Sequence, residues 1–249
     1  MSDIIIPVGH EPKAMHGYLS TPNERTQRPA VIVLHELFGV SPDIRGVVDR
    51  LATRGYLTVA PEMYYRDTEP GEWFERNDVG RKRGFECLNR LDRNAVVSIV
   101  ESTMHVSKER HNVDASRIGL LGFSAGGHMA FYAASALPIT ATAVLYPGWL
   151  TGGDVTIAQG TPTIDRAALL AKRGGKLLFA VGGKDAIIGP DQVAEIRAKL
   201  DAAKVDAEVV VYPNAEHAFF WEGTPAFEPS SAEDGWRRIE AFFGRTLAP

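Results

Sequence analysis

The chain of 249 residues has a single cysteine, Cys87, so no internal disulfide can form. One thiol fits a reducing compartment, or a periplasm where no bridge is needed. No run approaches 18 consecutive apolar residues, which excludes a conventional helical membrane span. The first 13 residues lack a basic segment followed by a long apolar stretch, so no signal peptide is read there and the expected location is cytoplasmic. Charge of one sign is also scarce. The formal net charge of −4 offers no general attraction to nucleic acid or to an anionic membrane. The short basic run Arg81-Lys82-Arg83 reads first as a solvated face. Repeats, low-complexity tracts and long linkers are missing as well.

What is present is an alternation of short apolar runs with amphipathic stretches. The runs 30–34 (AVIVL), 57–60 (LTVA), 118–121 (IGLL), 141–146 (ATAVLY), 176–181 (KLLFAV) and 207–212 (AEVVVY) read as buried strands. Unbroken apolar strands belong to a parallel sheet covered on both faces. Between them, 41–54, 93–108, 125–136, 191–203 and 230–243 read as helices, the first opening on Ser41-Pro42. Segments 4–7 and 17–20 suit an antiparallel edge hairpin. The expected fold class is α/β: a doubly wound, mostly parallel sheet with helices on both faces and no large cap, in one domain spanning 1–249. A chain of this length buries roughly 70–75% of its unfolded surface, enough for a core without covalent staples. Sites in such sheets lie at the carboxyl ends of the strands.

At one such end stands Gly122-Phe123-Ser124-Ala125-Gly126, a G-x-S-x-G pentapeptide. A glycine-rich turn with an incidental serine would look the same in isolation. The strand before it and the helix after it make it a nucleophile elbow, the turn of an α/β-hydrolase fold. So tight a turn needs small neighbours, which Gly122, Gly126 and Gly127 supply. The helix N-terminus favours negative charge developing at Ser124.

A serine hydroxyl needs an adjacent base. The chain order on this fold is nucleophile, acid, histidine. Of seven histidines, only His128 and His217 follow Ser124. His128 lies four positions on, within the helix, and reads as a packing or surface residue. His217 follows the strand ending at Tyr212, where the base belongs. Asp185 follows the strand 176–181 and is the preferred acid. Asp191 is weaker because it falls in the cap region of the next helix, and Asp154 and Asp165 precede that strand. An oxyanion hole would use the backbone N–H of Ala125 and one from the loop after strand 30–34, for which Leu37 is the choice. Aromatic residues near strand ends, Phe38, Tyr64, Trp149 and Phe219, are candidates for the pocket wall. Core packing is an equal reading for all but Tyr64.

Together, His35-Glu36-Leu37-Phe38-Gly39, Ala60-Pro61-Glu62-Met63-Tyr64, Gly122-Phe123-Ser124-Ala125-Gly126-Gly127, Gly182-Gly183-Lys184-Asp185 and His217-Ala218-Phe219 resemble the dienelactone hydrolase family. The resemblance covers most of the chain. It implies a compact hydrolase acting on small lactones or esters, with no metal and no cofactor. It singles out Tyr64, and it matches Glu36 to a glutamate that manages a thiol, since the best-known members carry cysteine where this chain has Ser124. Beside a serine, Glu36 is left with three readings: binding substrate, tuning His217, or hydrogen-bonding nearby backbone. Dienelactone-cleaving members place an arginine just after the histidine. Here Ala218-Phe219-Phe220-Trp221 follows, which suggests a more apolar pocket. Arg81 lies where the family has another arginine and is a candidate partner for a substrate carboxylate.

His35-Glu36 is not part of H-E-x-x-H, and no other metal-ligand spacing appears. The expected partner is a small ester or lactone, with no nucleic acid and no membrane, for a monomer or homodimer. Two rival readings stand beside ester hydrolysis. One is a hydrolase-fold protein that binds ligand without useful turnover. The other is a peptidase or acyltransferase on the same fold.

Overall fold

The computed structural model describes residues 2–22 and 27–248. Eight strands form one sheet: β1 (Ser2–Ile6), β2 (Met15–Ser20), β3 (Arg28–Leu34), β4 (Leu57–Pro61), β5 (Val113–Phe123), β6 (Ala141–Leu145), β7 (Lys176–Gly182) and β8 (Asp206–Tyr212). Their order is β1-β2-β4-β3-β5-β6-β7-β8. From β4 to β8 all neighbours run parallel, while β1 with β2 and β2 with β4 are antiparallel. The expected edge hairpin is therefore present, and it joins the sheet through β4. β3, β4 and β6 are buried at every position, as the unbroken apolar runs require.

The helices are α1 (Pro42–Ala52), α2 (Asp78–Leu88), α3 (Arg93–His111), α4 (Ala125–Ala136), α5 (Ala167–Lys172), α6 (Pro190–Ala202) and α7 (Pro229–Leu247). Both faces of the sheet are covered, and β5 shows it directly. A Cβ on Gly119 would meet Leu247 and Phe243 of α7, at 2.9 Å each. A Cβ on Gly122 would meet the Gly126 carbonyl oxygen of α4 at 2.2 Å. Positions 119 and 122 differ in parity, so they face opposite sides of a strand. Arg50 of α1 and Arg54, in the turn just after it, reach Glu240 of α7 at 2.9 Å each, tying the end of α1 to α7.

The sequence reading misses α2 and α5. α2 hides because its buried positions are Gly80, Gly84, Cys87 and Leu88, too small a set to give an apolar stripe. Its small residues serve contact. A Cβ on Gly84 would lie 2.6 Å from the Leu37 carbonyl oxygen, so the helix backbone rests on the loop after β3. β5 also begins five residues before the apolar core of its run, since its first part is partly exposed.

The strand order places a topological switch at β3 and β5. From β3 the chain goes on to β4 on one side, and from β5 to β6 on the other. The crevice between their carboxyl ends is where an open α/β sheet accepts a ligand. The loop 35–39 and Ser124 are the segments that leave those two ends. The turn between β5 and α4 is packed to backbone limits: a Cβ on Gly126 would sit 2.1 Å from the Leu34 carbonyl oxygen. Gly126→Ala is expected to cost about 2–3 kcal/mol, because no flexible side chain can move aside. That corresponds to a thermal midpoint lowered by roughly 5–10 °C, and an unchanged midpoint would contradict this packing.

Candidate active site

Ser124 sits between β5 and α4 with φ 51° and ψ −117°, a left-handed backbone rarely adopted by a residue with a Cβ. Such strain costs on the order of 1–3 kcal/mol and persists only where the surroundings impose it. The Ser124 N–H donates to the Leu145 carbonyl at 3.0 Å, and its own carbonyl accepts from Gly127 at 2.9 Å. The turn is therefore held from β6 and from the first turn of α4.

The side chain meets His217. Ser124 Oγ and His217 Nε2 are 2.9 Å apart, and His217 Nδ1 lies 2.8 Å from Asp185 Oδ2. The other Asp185 oxygen accepts the N–H groups of Ile187 at 2.8 Å and Ile188 at 2.9 Å. Asp185 is buried, while Ser124 and His217 are partly exposed. The three residues expected to act together thus stand in one hydrogen-bonded line. Asp191 lies in the first turn of α6. His128 is fully buried: Nδ1 faces the Gly148 carbonyl at 3.0 Å and Nε2 faces the Thr163 hydroxyl at 2.9 Å. Burial lowers its pKa to about 4.

Leu37 and Phe38 are half-buried in the loop after β3. The Leu37 N–H has no acceptor among the described residues. Ala125 is the first residue of α4, where the N–H has no intrahelical acceptor either. Trp149, half-buried with φ 62°, meets Phe85 of α2 edge-on at 6.3 Å. Tyr64 is buried, 4.8 Å from the His35 ring and 6.4 Å from Phe74. Its hydroxyl has no hydrogen-bond partner among the described residues.

One expectation changes. Phe219 does not face the crevice. It is 0% exposed and packs among Tyr146, Tyr212 and Phe220. The chain turns at Ala218, φ 63°, and sends the next three aromatic residues inward, so this stretch builds core rather than an apolar pocket. Arg81 is exposed on α2, and its guanidinium has no partner among the described residues.

Another arginine, missed in the sequence, meets Glu36. Arg76 Nη2 and Nε donate to Glu36 Oε1 at 2.7 and 3.0 Å, and the indole N–H of Trp221 donates to Oε2 at 2.9 Å. Arg76 also pairs with Asp43 of α1 and lies over the Trp221 ring at 5.3 Å. Glu36 is therefore spent on side-chain partners rather than on backbone. Tyr146, φ 41°, is a further unpredicted neighbour, its ring 5.1 Å from that of His217. The only sequence signal for it was its place at the end of a strand.

Burial pushes the Glu36 carboxyl above its ordinary value, and the Arg76 charge pulls it back. A carboxyl with a raised folded-state pKa destabilises the fold least below its unfolded value, about 4.3, and increasingly as pH rises through the folded value. Arg76 opposes that loss. Arg76→Ala is expected to lower unfolding free energy at pH 7.5 by about 3 kcal/mol, since it strands a buried charge. The deficit should shrink in urea melts at pH 5. An equal deficit at both pH values would refute this account.

Comparison with known proteins gives the family. The sequence profile of the dienelactone hydrolase family matches residues 15–247. A curated relative from Yersinia pestis, named "Putative carboxymethylenebutenolidase", is 34% identical over 232 residues, covering 91% of this chain and 82% of that protein. One of the same name from Escherichia coli (strain K12) is 34% identical over 222 residues, covering 86% and 76%. The crystal structure of a "Putative Dienelactone Hydrolase" from Klebsiella pneumoniae subsp. pneumoniae MGH 78578 superposes with a TM-score of 0.85 at 32% identity, covering 98% of each chain. Pyrococcus horikoshii acylaminoacyl peptidase, at 15% identity and TM-score 0.72, shares the fold alone; the match spans 99% of this chain and 41% of that one. The chain belongs to the dienelactone hydrolase family.

Proposed function

We propose that the chain hydrolyses small carboxylic esters or lactones through an acyl-enzyme on Ser124. The observation that carries this reading is the line Ser124–His217–Asp185, with separations of 2.9 and 2.8 Å, at a strained strand-to-helix turn. Family membership supports ester hydrolysis as the reaction class.

In the first half-reaction His217 Nε2 takes the Ser124 proton as Oγ bonds to the carbonyl carbon. Asp185 holds the proton on Nδ1 and stabilises the imidazolium. Negative charge gathers on the carbonyl oxygen, and the N–H groups of Ala125 and Leu37 receive it. The carbon–oxygen bond to the leaving group breaks as His217 returns the proton to that oxygen. Water then loses a proton to His217 and attacks the acyl carbon, and the bond to Ser124 Oγ breaks as His217 returns that proton to Oγ, releasing the acid. With a lactone the leaving oxygen stays tethered, and the product is one hydroxy acid. Phe38 and Trp149, both half-buried, are the aromatic surfaces proposed to touch substrate, and Arg81 is the cation proposed for a substrate carboxylate.

With short p-nitrophenyl esters, Ser124→Ala and His217→Ala are each expected to abolish detectable turnover, and Asp185→Asn to leave more of it. Wild-type turnover in Ser124→Ala would sink the assignment. A fluorophosphonate should label Ser124; failure to label, together with tight ligand binding, would favour a binding protein instead. Across a panel of lactones with and without a carboxylate, Arg81→Ala is expected to raise KM roughly tenfold for the carboxylates only. A uniform effect would remove Arg81 from the site.

A further inference from the structure

We infer that His35 is the positioning residue of the oxyanion hole, setting the direction of the Leu37 N–H through the Glu36–Leu37 peptide. The inference rests on the proposed role of that N–H as an oxyanion donor.

The imidazole of His35 is buried and has a partner at each nitrogen. The Met63 N–H donates to Nε2 at 3.1 Å. A nitrogen that accepts carries no proton, so the proton of the neutral ring is on Nδ1. Nδ1 lies 2.7 Å from the carbonyl oxygen of Glu36 and donates to it. Burial lowers the ring pKa to about 4, so the neutral form persists at neutral pH. Met63 follows the end of β4, so the ring is anchored outside its own loop.

The consequence is geometric. In a planar trans peptide the C=O and the following N–H point in opposite directions. Fixing the Glu36 carbonyl on His35 therefore aims the Leu37 N–H away from His35, where it meets no acceptor among the described residues. The loop cannot drift from the nucleophile either. The carbonyl oxygens of Leu34 and His35 lie where a Cβ on Gly126 would be, at 2.1 and 2.5 Å. Tyr64 meets the other side of the His35 ring edge-on at 4.8 Å. Glu36 binds Arg76 and Trp221 through its side chain, which leaves its carbonyl to the imidazole. One residue thus makes a loop peptide a directed donor.

Asparagine and glutamine separate this role from plain packing. An asparagine amide reaches the place of Nδ1 and can still donate to the Glu36 carbonyl. A glutamine amide reaches the place of Nε2 and cannot. The readout is the ratio of kcat/KM for p-nitrophenyl acetate to that for its thionoester, because a C=S sulfur draws less from hydrogen-bond donors than a C=O oxygen. His35→Asn should keep the wild-type ratio. His35→Gln should lose roughly 10- to 100-fold in kcat on the oxygen ester, with KM within about twofold and the ratio falling toward one. Similar ratios in both variants, beside a wild type that discriminates strongly, would overturn the positioning role and leave the Ser124 reading intact. A wild type that does not discriminate would instead overturn the oxyanion hole itself, and this inference with it. Should neither variant fold, the His35 ring of the wild type is read by nitrogen-15 NMR. A proton on Nδ1 is expected, and one on Nε2 would refute the proposal.

Discussion

The carbonyl oxygen of Leu34 occupies the space that a Cβ at position 126 would need. That single contact joins the end of β3 to the start of α4, and the site is organised around it. The same crowding recurs one step earlier, where the Gly126 carbonyl excludes a Cβ at position 122. Between the two glycines Ser124 is forced to φ 51°. Its conformation is imposed by backbone on both sides, so it needs no support from its own side chain. The hydroxyl is left for His217.

Charge is handled differently in the two carboxylates of the region. Asp185 is buried, but two backbone N–H groups and an imidazole surround it. Glu36 is buried with a guanidinium and an indole. The first arrangement orients the ring of the proposed base. The second ties together three segments that are remote in sequence: the loop after β3, the approach to α2 and the loop after His217. Glu36 and Trp221 are 185 positions apart. An ion pair of this kind is a weak source of net stability, because desolvation offsets much of the attraction. Its value here lies in the geometry it holds.

The crevice this creates is narrower in aromatic character than a reading of His217-Ala218-Phe219-Phe220-Trp221 suggests. Those rings close the interior beneath the histidine: Phe123 lies 4.7 Å from Trp221 and 5.4 Å from Phe220. The histidine loop is thus packed against the residue that precedes the proposed nucleophile. Rigidity on both sides of Ser124 and His217 is what the proposed acyl transfer asks of a site that must hold donors in place before charge develops.

What the sequence determined by itself was local or ordinal. The buried strands were legible because parallel strands are apolar without interruption. The elbow was legible because a strand, a glycine-flanked serine and a helix follow one another directly. His217 and Asp185 were legible because chain order left few candidates at strand ends. The remainder depended on contacts between remote segments, which carry no local signature. Arg76 looks like any surface arginine until β3 and the approach to α2 bring it to Glu36. Phe219 looks like a pocket wall until the positive φ of Ala218 turns it inward. His35 sits openly in the loop motif, yet its tautomer follows from a backbone N–H at Met63, on a neighbouring strand's end. Hydrogen-bond direction is a property of assembled geometry, and only the tertiary structure could decide it.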